Sequence, residues 1–145
     1  MNRLIATSAA VLMAGSAFAQ DIYTVTVSDS FEDAAFALES AILDRGLVID
    51  NTSHVGDMLA RTGADVGSDV DLFAGADVYS FCSATVSREV MEADISNIAY
   101  CPYGVFVYAL PDSDQSVIGF RVYPGDSMAP VNALLTEIVT DATAD

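Results

Sequence analysis

The sequence predicts an α+β domain: a single mixed β-sheet with helices packed against it, in the order β-α-β-α-β-α-β-β-α. Three observations carry this. Segments of period-two apolar alternation, rich in β-branched residues, take turns with segments patterned at helical spacing. The last two strand-like segments are separated only by the turn Pro111-Asp112-Ser113-Asp114-Gln115, which predicts a hairpin rather than a parallel crossover. The chain has 145 residues, enough for one hydrophobic core and no second domain.

The domain is expected to span residues 20–145, because residues 1–19 read as a secretory signal peptide. Arg3 supplies the basic start, an apolar run covers Leu4 to Ala14, and Ala17-Phe18-Ala19 is a small-x-small cleavage pattern. That run is too short to span a bilayer, and no later segment reaches the ~18 uninterrupted apolar residues of a membrane helix. No cysteine follows the leader to take a lipid anchor. The expectation is a periplasmic protein without membrane insertion.

Ile22 to Val27 opens the domain as a strand, with Tyr23, Val25 and Val27 on one face. Ser30 and Asp33 form a cap for a helix that Gly46 ends, with the stripe Phe31, Ala34, Ala35, Leu38, Ala41 and Ile42 facing the core. Phe36 and Leu43 lie outside that stripe and are expected to pack within the chain rather than on a second subunit. Leu47 to Asp50 reads as a short buried strand, and Val55, Met58 and Leu59 place a short helix over residues 55–62. Residues 63–77 read as a loop whose Asp65, Asp69 and Asp71 lack the calcium-loop pattern and suit a solvated acidic segment.

Asp77 to Cys82 is the third strand, and Ser83 caps a helix to about Asp94 with Val86, Val90 and Ala93 inward. Pro102 shapes the return into a strongly apolar strand, Val105 to Leu110. Val117 to Tyr123 is its hairpin partner, with Ile118, Phe120 and Val122 facing the core and Arg121 outward. Ser127 is expected to cap the last helix, about 128–140, whose apolar face is Met128, Val131, Leu134, Leu135, Ile138 and Val139. Pro130 falls in its first turn, where the missing N–H costs nothing.

The chain carries 5 basic residues, all arginine, against 21 acidic ones, a formal charge of −16 that deepens by one unit when Arg3 leaves with the leader. Such a surface repels phosphate backbones and anionic membranes, so neither nucleic acid nor a membrane is an expected partner. A homodimer, a periplasmic partner protein and a small molecule are the partner classes left open.

As an ordered set, these segments resemble a known family. A helix, then Gly46-Leu47-Val48-Ile49-Asp50 with His54 shortly after, a strand at Val78-Tyr79-Ser80-Phe81, a short helix, Cys101-Pro102 where many members show Leu-Pro, an apolar strand and a hairpin strand are similar to the domain of unknown function 302. The resemblance covers about 28–124. Where the family usually has a Phe-Gly-Asn-Pro-like turn, this chain has Phe81-Cys82-Ser83-Ala84. The resemblance implies a compact α+β fold, often dimeric, and no established activity.

Chemistry must therefore be sought in particular residues, and Cys82 and Cys101 come first. In an exported protein an even pair points to a disulfide. Cys82 also ends a strand just before a helix N-terminus, where partial positive charge favours thiolate, so a reactive thiol or exchangeable disulfide is the alternative. A soft-metal or haem site using Cys82, Cys101 and His54, with Met58 or Met91, is the third reading.

No catalytic residues can be named. There is no Gly-x-Ser-x-Gly elbow, one histidine must serve any triad, no glycine-rich phosphate loop is present, and the acidic composition singles out no carboxylate pair. A ligand pocket is expected near the cysteines from His54, Tyr79, Arg88, Tyr100 and Tyr103, tyrosines and scarce cations that combine apolar bodies with polar tips. No cofactor can be named. The leading expectation is a non-enzymatic binding or accessory domain with the cysteine segment as staple and pocket edge. A thiol-based redox or sulfur-handling protein is the competing class.

Overall fold

The computed structural model describes residues 21–144; the leader read at 1–19 lies outside them. The elements are β1 (Ile22–Val27), α1 (Phe31–Asp44), β2 (Val48–His54), α2 (Val55–Thr62), β3 (Gly75–Cys82), α3 (Ala84–Ala93), β4 (Tyr103–Ala109), β5 (Ser116–Arg121) and α4 (Ala129–Ala142), joined in places by short 3₁₀ turns. The α+β class and the element order are those of the sequence. The five strands form one open sheet in the order β1-β5-β4-β3-β2. Every pairing in it is antiparallel, so the mixed sheet expected from the sequence is corrected to an antiparallel one. The reason lies in the connections: α2 and α3 each return the chain to the end of the sheet it left, and only α1 crosses from one edge to the other.

One face of the sheet is covered by α1 and α4, with α3 beside α4. Ser30 accepts from the Asp33 N–H and starts α1, whose Ala34, Ala35, Leu38, Ala41 and Ile42 are buried as their spacing requires. They meet Tyr79, Phe81, Tyr103, Val105, Val107, Ile118 and Phe120 from the strands and Val131, Leu135, Ile138 and Val139 from α4. Each large side chain fully removed from water here contributes roughly 1.5–3 kcal/mol. Arg45, at the end of α1, ties the two long helices together through Glu137 and Asp141.

Several local expectations are corrected. β2 runs on through Asn51, Thr52, Ser53 and His54, polar residues that read as loop, because an edge strand is selected by pairing to β3 rather than by burial. Its register slips between Ile49 and Asn51, a bulge that bends the edge. Ser127 does not cap α4; its hydroxyl accepts from the Asn97 side chain, while Asn97, buried in the Ile95–Tyr100 turn, also donates to the Val90 carbonyl. Ala93 is exposed, and Phe36 and Leu43 are not packed within the described chain, at 72% and 49% exposure.

Candidate functional site

The face of the sheet turned away from α1 and α4 has an organisation that strand register dictates. Side chains alternate across a strand, so residues opposite one another in the ladders form rows. One row runs Thr24, Gly119, Phe106, Val78, Ser53 from edge to edge, and another runs Thr26, Val117, Tyr108, Ala76. A third begins with Ile22 and Arg121 on β1 and β5 and ends with Gly104 and Ser80 on β4 and β3. Most of these residues are half-buried or exposed, unlike Val105, Val107, Ile118 and Phe120 between them in sequence, which are fully buried.

Phe73, from the segment preceding β3, packs edge-on against Tyr108 at 5.6 Å, and Tyr108 stacks on Phe106 at 6.1 Å. At this end Val55 of α2 reaches the face and, with Phe73, Ala76, Val78, Phe106 and Tyr108, lines an apolar hollow of about 430 Å³. Toward the other end a groove of equal size, about 430 Å³, is lined by Ile22, Val78, Pro102, Gly104, Phe106, Arg121 and Tyr123. Its size falls within the range of about 300–1,000 Å³ usual for small-molecule sites. Two glycines shape it. Gly119 leaves room for the Phe106 ring, whose Cζ would lie 2.9 Å from any Cβ added there. At Gly104 an added Cβ would meet only the Val78 Cγ1 at 3.8 Å and the Tyr79 carbonyl at 4.0 Å, so this position is a gap in the row.

The polar groups of the groove are few. The Tyr123 hydroxyl accepts the Gly104 N–H at 3.4 Å, and no acceptor for its own proton is present among the described residues. Burial raises the Tyr123 pKa, opposed by that N–H and by the nearby Arg121 charge, so the phenol stays protonated at neutral pH. Tyr100 and Tyr103 pack edge-on against its ring at 5.4 and 5.9 Å and fix its position. Among the described residues, Arg121 and Arg61 make no ion pair, whereas Arg45 and Arg88 do.

The cysteines lie beside this groove. Cys82 ends β3, Cys101 immediately precedes the groove residue Pro102, and the two are joined in a disulfide with Cα atoms 6.6 Å apart. The pairing follows from the β3–β4 ladder, in which Phe81 stands opposite Tyr103 and so brings the flanking residues together. Ser83 follows as the N-cap of α3, its side chain accepting from the Val86 N–H.

The five residues expected to form a pocket are not brought together. Tyr79 and Tyr103 are core residues beneath the helices: the Tyr79 hydroxyl donates to the Ala35 carbonyl at 3.4 Å, and that of Tyr103 bonds Ser87 at 3.1 Å. Arg88 is on the solvent side of α3, paired with Glu92 at 2.8 Å. Tyr100 supports Tyr123 from behind. His54 ends β2, its Nδ1 2.8 Å from Asp77 Oδ1, and Asp77 is five positions before Cys82 on β3, about 16 Å along the strand. The soft-metal set of His54, Cys82 and Cys101 is therefore split between opposite ends of β3. Among the described residues there is no cluster of three or more His, Cys, Asp or Glu side chains suited to a metal ion.

The groove residues that sequence reasoning missed had weak signals. Gly104 interrupts an apolar strand pattern, which marks a gap or a close backbone approach. Arg121, like Arg88, reads in the sequence as a surface ion-pair partner or a holder of an anionic group; the structure pairs Arg88 but not Arg121, and the groove around Arg121 is hidden because its neighbour Ile22 comes from a strand far away in sequence.

Comparison with known proteins adds the lineage. None of the curated proteins matches the chain. A crystal structure of an uncharacterized conserved DUF302 protein from Bacillus stearothermophilus is similar in fold, with a TM-score of 0.58 at 18% identity, covering 83% of this chain and 91% of that one. The profile of the family described as "Domain of unknown function DUF302" matches residues 23–144. This matched span contains both cysteines and the whole sheet apart from its first residue. The chain belongs to the DUF302 family.

Proposed function

We propose that this protein is an exported, periplasmic, non-enzymatic binding domain whose ligand site is the groove on the sheet face turned away from α1 and α4, with the Cys82–Cys101 disulfide as the staple at its edge. The observation that carries the reading is the gap at Gly104. A concave, largely apolar space is left open beside a bridged cysteine pair, on the face turned away from α1 and α4 and beyond the reach of α2 at the start of β3. The chain's single histidine lies at the far end of β3, paired with Asp77 rather than set against a nucleophile, which favours binding over catalysis.

The test uses a neutral fluorescent probe, N-phenyl-1-naphthylamine, with the parent protein and Gly104→Val. Valine suits a strand, and its Cβ fits at ordinary van der Waals distance, so the fold is retained while the groove is filled. Probe binding should fall at least about tenfold with an unchanged circular dichroism spectrum, a loss of about 1.4 kcal/mol. Equal binding by both proteins sinks the groove as the ligand site.

A second reading, thiol exchange through Cys82, is favoured by its place directly before the capped start of α3. Free-thiol titration of periplasmic protein after glutathione-level reduction separates the two. A bridge that stays closed supports the staple, and one that opens supports exchange.

A further inference from the structure

The groove is apolar along most of its wall but carries at its rim a cation without a partner. Of the four arginines among the described residues, Arg45 and Arg88 have carboxylate partners, Arg45 two of them, while Arg61 and Arg121 have none, and of these two only Arg121 lines the groove. Its cross-strand neighbour is Ile22, 63% exposed, so neither a counter-charge nor a covering side chain meets it there. A second donor lies close by: the Tyr123 hydroxyl accepts from Gly104 and keeps its own proton unengaged among the described residues. A guanidinium and a phenolic proton together match a carboxylate, which accepts through both oxygens. Val78, Phe106 and Pro102 continue from that polar end as apolar wall.

We propose, on the reading that this groove is the ligand site, that its ligand class is a monocarboxylate with an apolar body, the head held by Arg121 and Tyr123 and the body lying over Gly104 against Val78 and Phe106. The acidic surface sharpens the selection. A bare anion meets a repulsive field from the rest of the molecule and gains no apolar contact, so acetate and inorganic phosphate bind poorly. A neutral apolar molecule gains the wall but leaves the arginine as it was. Only a molecule with both parts uses the whole site.

The experiment titrates octanoate, 1-octanol, octylamine and acetate into the purified oxidised protein by calorimetry, with Arg121→Gln, Arg121→Lys and Gly104→Val alongside. Octanoate should bind at least about tenfold more tightly than octanol, octylamine or acetate. Arg121→Gln should lose about tenfold to a hundredfold for octanoate, the range for a hydrogen bond to a charged group. Arg121→Lys should recover part of the loss, since it keeps the charge without the fork. Octanol binding as well as octanoate, octanoate failing to bind while the neutral probe does, or Arg121→Gln leaving octanoate unaffected overturns the carboxylate assignment and leaves the groove standing. Octanoate and neutral probe both binding undiminished to Gly104→Val overturns the groove itself.

Discussion

Replacing both cysteines by alanine, Cys82→Ala with Cys101→Ala, asks how much the staple contributes. The bridge closes a loop with a sequence separation of 19, which contains α3 and the Ile95–Tyr100 turn. A cross-link of that span removes closure entropy from the unfolded chain worth about 3 kcal/mol at room temperature. The folded state should change little, because Phe81 and Tyr103 hold the neighbouring strand ends in register and are themselves fully buried. The effect therefore falls on the unfolded ensemble, and two consequences in urea denaturation follow. The midpoint should drop by roughly 2 M, taking a slope of about 1.5 kcal/mol/M for a domain of this size. The slope itself should rise, since an unbridged chain expands further and exposes more surface. A loss below about 1 kcal/mol with an unchanged slope would refute the reasoning and leave the bridge without a stapling role.

Two further predictions rest on the sheet. Gly119→Ala should cost about 1–3 kcal/mol by overpacking, because the added methyl would press on the Tyr23 carbonyl, Phe106 and Thr24; a melting temperature within about 2 °C of the parent contradicts this. Tyr79, whose pKa is pushed up to about 12 by burial and then by the charges of Asp77 and Glu39, should titrate late in an ultraviolet absorbance titration. Its folded pKa lies above the unfolded value of about 10, so its contribution is intact below pH 10 and is lost as pH rises from about 10 to 12. Tyr79→Phe should flatten that decline, and a slope identical to the parent's would count against it.

The parts of the fold legible in the sequence were those in which burial writes a periodic pattern. The stripe of α1 from Phe31 to Ile42, the alternation of Ile118 and Phe120, and the apolar face of α4 all appear where their spacing puts them. What was illegible depends on pairing rather than burial. The polar half of β2 has no apolar period to read, and the partnership of β1 with β5 joins residues nearly a hundred positions apart. The cysteine pair was legible because only one pairing exists. The groove was not, because its outline is set by an absent side chain at Gly104 and by Ile22, Arg121 and Tyr123, which meet only once the sheet is assembled.

The position of β1 at the end of the sheet carries a further consequence, for the protein's behaviour in bulk. Its sequence, IYTVTV, contains no proline and no charge, and it pairs without a register shift, so among the described residues its outer backbone groups form a flat, unpaired edge able to template another strand. The opposite edge is bent by its bulge and lined with polar side chains. Mutual repulsion between strongly acidic surfaces opposes the pairing of β1 of one molecule with β1 of the next. Near the isoelectric point of about 4.1 that repulsion vanishes, and colloidal stability should fail first through this strand.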